Sequence, residues 1–402
     1  MKVLMFGWEY PPYNSGGLGV ACQGLANALT EKDIELTFVL PKRLDIDHSK
    51  VRFRFANVPD IDVIEVDSLL VPYITSEKYS YMVKSGIDPQ GNYGSTLFEE
   101  VKRYAMLARG IAQREKFDII HAHDWLTYGA GMAAKDVRER PLVAHIHATE
   151  VDRTAGNPNE YIYRAEKLGF ENADKIVSVS DFTKQVVHDK YFIENGKIEV
   201  VHNGIDANQY QTEVTSDDGI NELKRLGYKI VLAYGRITIM KGFDQLVNAA
   251  NIVLKHRPKT IFVIAGAGDM EGQIMRQAAD MGISNNVLFP GFLRGKELSS
   301  MIRAADLFVM PSVSEPFGLT SLESLLHGTP ALVSRQSGVS EVLKNVLKVD
   351  FWDVDEMADK ILSVLSHPAL KKELSTNGMI DANNCTWDAA ADKCIEIYNN
   401  LL

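Results

Sequence analysis

The chain has three cysteines among 402 residues, Cys22, Cys385 and Cys394, too few and too scattered for a disulfide framework or a zinc knuckle. They read as buried or half-buried thiols in a reducing compartment, which places the protein in the cytoplasm. Positive charge is also short. Forty-three Lys and Arg stand against 53 Asp and Glu, a net charge of −10, so the surface lacks the basic excess that a nucleic-acid partner requires. No apolar run approaches the ~18 residues needed to cross a bilayer. The opening residues 1–12 hold one lysine and then turn polar and proline-rich, which predicts a first strand running into a loop rather than a signal peptide. Internal repeats, low-complexity tracts and an HExxH metal motif are all missing.

What is present is alternation. Short, nearly continuous apolar runs occupy residues 3–6, 35–40, 117–121, 142–147 and 175–179, then 230–234, 260–265, 286–289, 307–310 and 330–334. Runs of that length, rich in Val, Ile, Leu and Phe, predict parallel strands buried on both faces. Between them lie amphipathic stretches. Phe243, Leu246, Val247, Ala250, Val253 and Leu254 recur at helical spacing on one face. Strand–helix alternation predicts doubly wound α/β sheets, and two sets of five units predict two domains. The polar stretch 202–217 separates the sets. The expected partition is 1–203, 204–384 and a last helical segment 385–402. Residues 68–98 interrupt the pattern with Tyr73, Tyr79, Tyr81 and Tyr93 among Ser, Gly, Asn and Pro. Such an insertion suits sugar rings, or packs its own tyrosines.

Five loops at predicted strand ends carry chemistry. Asn14-Ser15-Gly16-Gly17-Leu18-Gly19 opens a helix after the first strand, where backbone N–H groups can meet phosphate. Gly235-Arg236 through Lys241-Gly242 brackets one loop with two cations able to neutralise a diphosphate. Ser314-Glu315-Pro316-Phe317-Gly318 leads into a helix carrying Glu323, whose carboxylate suits vicinal hydroxyls. An unpaired Glu323 on so apolar a helix would be costly, so a ligand is its expected partner. His121-Ala122-His123-Asp124-Trp125 and His145-Ile146-His147 end two further strands. Four histidines raise the question of a metal. Their alternation along the strands is expected to send half of them to each face, so no metal site is predicted. The DxD triplets at 45–47, 60–62 and 353–355 carry little weight in so acidic a chain.

Taken together and in this order, Gly16-Gly17, HAHDW, Arg236…Lys241 and the Glu315-x7-Glu323 spacing resemble the retaining GT-B glycosyltransferases of group 1, with HAHDW similar to the glycogen synthases. The resemblance spans nearly the whole chain. It implies two Rossmann-like domains facing across a cleft and a C-terminal helix crossing back to the first. It implies that Arg236 and Lys241 bind the donor diphosphate, with Gly318, Leu319 and Thr320 donating to it and Gly16 and Gly17 lying against it. Glu315 would hold donor sugar hydroxyls, Glu323 the ribose, and Phe292 and Leu293, after Gly291, the base. His147 would contact the donor sugar near its reacting face, with Asp124 and Trp125 bordering the sugar and acceptor region. The expected substrates are a UDP- or ADP-sugar and an α-glucan held in part by Tyr79 and Tyr81, with no metal or other cofactor. Asn14 departs from the starch-synthase pattern, which has Lys there, and keeps a glycolipid or cell-surface glycan acceptor open. A non-hydrolysing epimerase and a catalytically silent nucleotide-sugar binder are the further alternatives. No carboxylate stands out as a covalent nucleophile, and double displacement stays open beside same-face attack.

Overall fold

A computed structural model describes residues 1–12, 16–42, 51–56, 97–210 and 218–402. Two sheets organise it, each wholly parallel. The first holds β1 (Lys2–Phe6), β2 (Glu35–Leu40), β3 (Arg52–Phe55), β4 (Ile119–His123), β5 (Leu142–Ile146), β6 (Lys175–Ser178) and β7 (Ile198–Val200) in the order β3-β2-β1-β4-β5-β6-β7. The second holds β8 (Lys229–Tyr234), β9 (Thr260–Ala265), β10 (Val287–Leu288), β11 (Leu307–Met310), β12 (Ala331–Ser334) and β13 (Leu347–Val349) in the order β10-β9-β8-β11-β12-β13. Both orders reverse direction once, between β1 and β4 and between β8 and β11. In open α/β sheets such a reversal opens a crevice at the strands' carboxyl ends, where ligands bind.

The central strands are buried because helices cover both faces, and their continuous apolar runs follow from that. In β8, Ile230 through Ala233 are all fully buried. The helix Phe243–His256 turns Phe243, Leu246, Val247, Ala250 and Val253 into the core of the second sheet.

The chain divides into two compact units. The first contains residues 1–153, 157–204 and 387–402, and the second contains 154–156 and 205–386. The first unit is therefore completed by the helix Trp387–Leu401, which lies against the helix Gly17–Glu31. Ala390, Ala391, Cys394, Ile397 and Tyr398 share a core with Cys22, Leu25, Ala26 and Leu29. Gly24 is required at this crossing, since a Cβ there would stand 2.2 Å from the Trp387 indole. All three cysteines are free thiols, with Cys22 and Cys394 buried. Among the described residues no helix is long and apolar enough to cross a membrane.

Candidate active site

In the second unit the loops after β8 and β11 flank the reversal of strand order. The β8 loop carries Arg236 and, in a single 3-10 turn, Lys241. Gly242 ends that turn with φ 62°, and a Cβ on it would sit 2.1 Å from the Pro311 carbonyl oxygen. Only glycine lets the two loops approach so closely. The approach places Lys241 Nζ 2.5 Å from Glu315 Oε2, with both side chains largely buried. Ser312 donates to the same carboxylate oxygen at 3.0 Å. Glu315 is fixed further by its backbone, which donates to the Gln336 carbonyl at 3.0 Å and accepts from Gly338 at 2.9 Å.

Gly318, at φ 115°, is the N-cap of the helix Leu319–Leu326 and brings no capping side chain. The first backbone N–H groups of that helix, from Leu319 and Thr320, begin beside the Glu315 loop, the arrangement that favours an anion. Glu323, one turn on, is not the unpaired carboxylate expected from sequence. Tyr234 donates to its Oε2 at 3.0 Å and Tyr210 to its Oε1 at 3.3 Å, while burial holds its pKa above the ordinary value. The expectation failed because Tyr234 ends an apolar strand and Tyr210 lies 113 residues from Glu323. The sequence signal was Tyr234 itself, since a buried tyrosine hydroxyl needs a partner. Phe292 is exposed, with the Arg294 guanidinium 4.6 Å above its ring, and Gly291 and Leu293 flank it. Asp353 of the third DxD triplet caps the helix Val354–Ser366, accepting from Glu356 N at 2.9 Å, and so has a structural task.

In the first unit the histidines converge without charge. The expectation that the four histidines divide between faces is corrected here. His121 and His123 are two residues apart on β4, as His145 and His147 are at the end of β5, and a period of two puts such residues on one face. The register sets His123 directly opposite His145. All four rings therefore pack together, with His121 and His123 centroids 4.6 Å apart and those of His145 and His147 4.3 Å apart. His123 Nδ1 lies 2.9 Å from His147 Nε2, His121 Nε2 lies 3.1 Å from His145 Nδ1, and His121 Nδ1 lies 2.6 Å from the Tyr398 hydroxyl. Burial pushes His121 and His147 down to about 3 and His123 and His145 well below the usual imidazole range. The cluster is neutral.

Asp124 follows at φ 59°, a backbone conformation uncommon outside glycine, and its Oδ1 accepts the His147 N–H at 2.7 Å. Burial raises its carboxyl to about 6. Trp125 starts the helix Trp125–Arg138 and is buried. Five atoms here are buried without a hydrogen-bond partner: His123 Nε2, His145 Nε2, His147 Nδ1, Asp124 Oδ2 and Trp125 Nε1. Beyond His147, Arg153 bridges Glu150 at 3.0 Å and Glu166 at 2.5 Å, and burial lifts Glu166 to about 7. No local pattern signals this ion cluster, because Glu166 reaches back from another helix.

Gly16 and Gly17 stand at the start of the helix Gly17–Glu31, Gly16 in extended backbone that any residue adopts. The buried Glu9 carboxylate already accepts the Gly19 N–H of that first turn at 3.0 Å. Asn14, Tyr79 and Tyr81 lie outside the described residues, as do the triplets at 45–47 and 60–62.

Two family models divide the chain between them. "Glycosyltransferase Family 4" matches residues 15–209, and "Glycosyl transferases group 1" matches residues 217–380. An uncharacterized glycosyltransferase of Methanocaldococcus jannaschii is 29% identical over 99% of this chain and 98% of its own length. The glycogen synthase of Mycobacterium tuberculosis is 26% identical over 99% of this chain and 94% of its own. Among solved structures, Anabaena HepE in complex with UDP and glucose superposes with a TM-score of 0.71 at 19% identity, covering 100% of both chains.

Proposed function

The chain belongs to the group 1 glycosyltransferase superfamily with the two-domain α/β GT-B fold, and on that premise we propose that it moves glucose from a nucleotide-sugar to an α-glucan with retention of configuration. The observation that carries this reading is the Lys241–Glu315 pair at the strand-order reversal, beside the Gly318 helix N-terminus. A lysine ammonium has three donors, and one given to Glu315 leaves two for phosphate oxygens. Arg236 from the same loop adds a second cation. As the bond from the sugar's anomeric carbon to the phosphate oxygen breaks, the diphosphate keeps the electron pair. Lys241, Arg236 and the N–H groups of Leu319 and Thr320 stabilise that charge, so the step needs no bound metal. The acceptor hydroxyl then bonds to the anomeric carbon from the same face and gives its proton to the departing phosphate oxygen. Glu315 holds the donor sugar's hydroxyls and Glu323 the ribose, while His147 meets the sugar as a neutral imidazole.

Two likenesses support the substrates. HepE was solved with UDP and glucose, and the mycobacterial relative is a glycogen synthase. Free, scattered thiols fit a cytoplasmic setting. The test offers UDP- and ADP-glucose with glycogen, maltooligosaccharides and a lipid-phosphate acceptor, and reads the anomeric proton of the first product by NMR. An α-linked glucan is the expected product. A β-linked product rules out retention, and transfer to the lipid acceptor alone rules out the glucan.

A further inference from the structure

The histidine cluster holds a donor set of which the proposed transfer uses only His147. Cys22, inward on the helix Gly17–Glu31, offers its sulfur there, and one ring nitrogen each of His123 and His147 lies within 4.8 Å of that sulfur and of one another. In a tetrahedral zinc site with Zn–S of ~2.3 Å and Zn–N of ~2.0–2.1 Å, such atoms stand about 3.3–3.6 Å apart, so the three close on a cation with shifts of about an ångström. We propose that Cys22, His123 and His147 bind a soft divalent cation, zinc above all, and that occupancy withdraws His147 and switches transfer off.

The geometry of the two rings favours this set. The nitrogens that face each other are His123 Nδ1 and His147 Nε2 at 2.9 Å, so these two would part to take the cation, while His123 Nε2 and His147 Nδ1, buried without a partner on the far sides of the rings, are free to carry the ring protons. His121, His123 and His145 form a second group of comparable spacing, but both nitrogens of His121 are already engaged, by Tyr398 and by His145. On binding, the Cys22 thiol releases its proton to solvent and the sulfur–metal bond replaces the S–H bond. One thiolate and two imidazoles are a donor set that prefers zinc over magnesium. The proposal is thus of an inhibitory site, separate from any metal requirement for turnover.

The switching half rests on the role given to His147 in transfer, and the binding half does not. The experiment therefore reads them apart. The metal-free protein is titrated with Co2+, watching for thiolate-to-cobalt absorption, and then with Zn2+ to displace it. Wild type should show the band at one equivalent. Cys22→Ser and Cys22→Ala should lose it, while Cys385→Ser keeps it. Two Cys22 variants are used because the thiol is in the core, and circular dichroism checks that each is folded. In the transfer assay, equimolar Zn2+ should inhibit wild type, EDTA should restore it, and a Cys22 variant should keep its own metal-free rate when Zn2+ is added. No band in wild type, a band that survives loss of Cys22, or full turnover with Zn2+ bound would each overturn the proposal. If no donor and acceptor support transfer at all, a Cys22-dependent band still upholds the binding site, and the failure falls on the proposed reaction.

Discussion

The two units build their strand ends alike and treat polarity in opposite ways. In the second, each carboxylate has its partners: Lys241 pairs with Glu315 at 2.5 Å, and Glu323 takes two neutral tyrosine hydroxyls. Around the histidine cluster of the first, burial leaves four neutral imidazoles and five unpartnered atoms, with the Arg153–Glu150–Glu166 ion cluster beyond them. A buried ion pair is a weak source of stability, since desolvation offsets much of its attraction. An unpartnered buried nitrogen is a net cost. Neither arrangement serves the fold well. Under the proposed readings the second unit's pair would meet an anion, and the first unit's cluster a neutral sugar face or a soft cation.

The sharpest way to break this contrast is Lys241→Ala. Removing one positive group from a developing diphosphate should lower kcat by about 10²–10³-fold. Steady-state turnover on the folded variant checks it, and a rate near wild type would strip the second unit of its anion role.

Next in size is acid. Unfolded imidazoles protonate near pH 6.5, whereas His121 and His147 wait until about 3 and His123 and His145 lie well below the usual range. Their contribution is complete above pH 6.5 and is lost as pH falls toward the folded values. Asp124 at about 6 and Glu166 at about 7 run the other way, taking up protons in the folded state first. Four imidazoles outweigh two carboxyls, so the first unit should lose about 1.4 kcal/mol per pH unit for each net proton between pH 6.5 and 4.5. Tryptophan fluorescence during urea unfolding follows this unit, which holds Trp8, Trp125 and Trp387, while Trp352 of the second is exposed. The second unit, where His327 is the shifted imidazole, should move less. Equal pH slopes would erase the distinction.

The same contrast is legible in the sequence only in part. The central strands could be read because burial on both faces makes their apolar runs continuous. β3, β7 and β13 were missed, and all three are edge strands with interrupted burial. In β3, Arg-Phe-Arg-Phe alternates and has no run to find. The loops with Lys241 and Glu315 stood out because glycines and charges punctuate apolar strands. The histidines stand out as residues but their convergence does not: the apolar run stops at His121 although β4 continues to His123, and residues two apart on a strand share a face. Tyr210, Cys22 and Glu166 gave no local signal, because their partners come from other elements.

A smaller effect is expected at Glu323. Tyr210→Phe removes one hydroxyl from the carboxylate, and a hydrogen bond to a charged group contributes about 1.5–3 kcal/mol. If Glu323 must be held in place to meet a ribose, the donor KM should rise about tenfold, near the low end of that range, with kcat little changed. Donor titrations of the variant decide it, and an unchanged KM would leave Tyr210 as packing alone.

Smallest of all is the effect of EDTA, where no loss is expected. If cations of the second unit carry the leaving charge, chelation leaves the rate intact or raises it by clearing adventitious zinc. A rate abolished by EDTA and restored by Mg2+ or Mn2+ would show that Lys241 and Arg236 do not suffice.

The helix Trp387–Leu401 has a consequence for how the protein is made. It completes the first unit, yet 182 residues, 205–386, separate it from the rest of that unit. At ~5–20 residues per second a ribosome needs roughly 10–40 s to cross that interval. Throughout it the apolar side of Gly17–Glu31, with Cys22, Leu25, Ala26 and Leu29, lacks its cover, and His121 lacks Tyr398. The nascent chain thus finishes its second half while the first still presents a sticky face, the kind of surface that chaperones hold until translation ends.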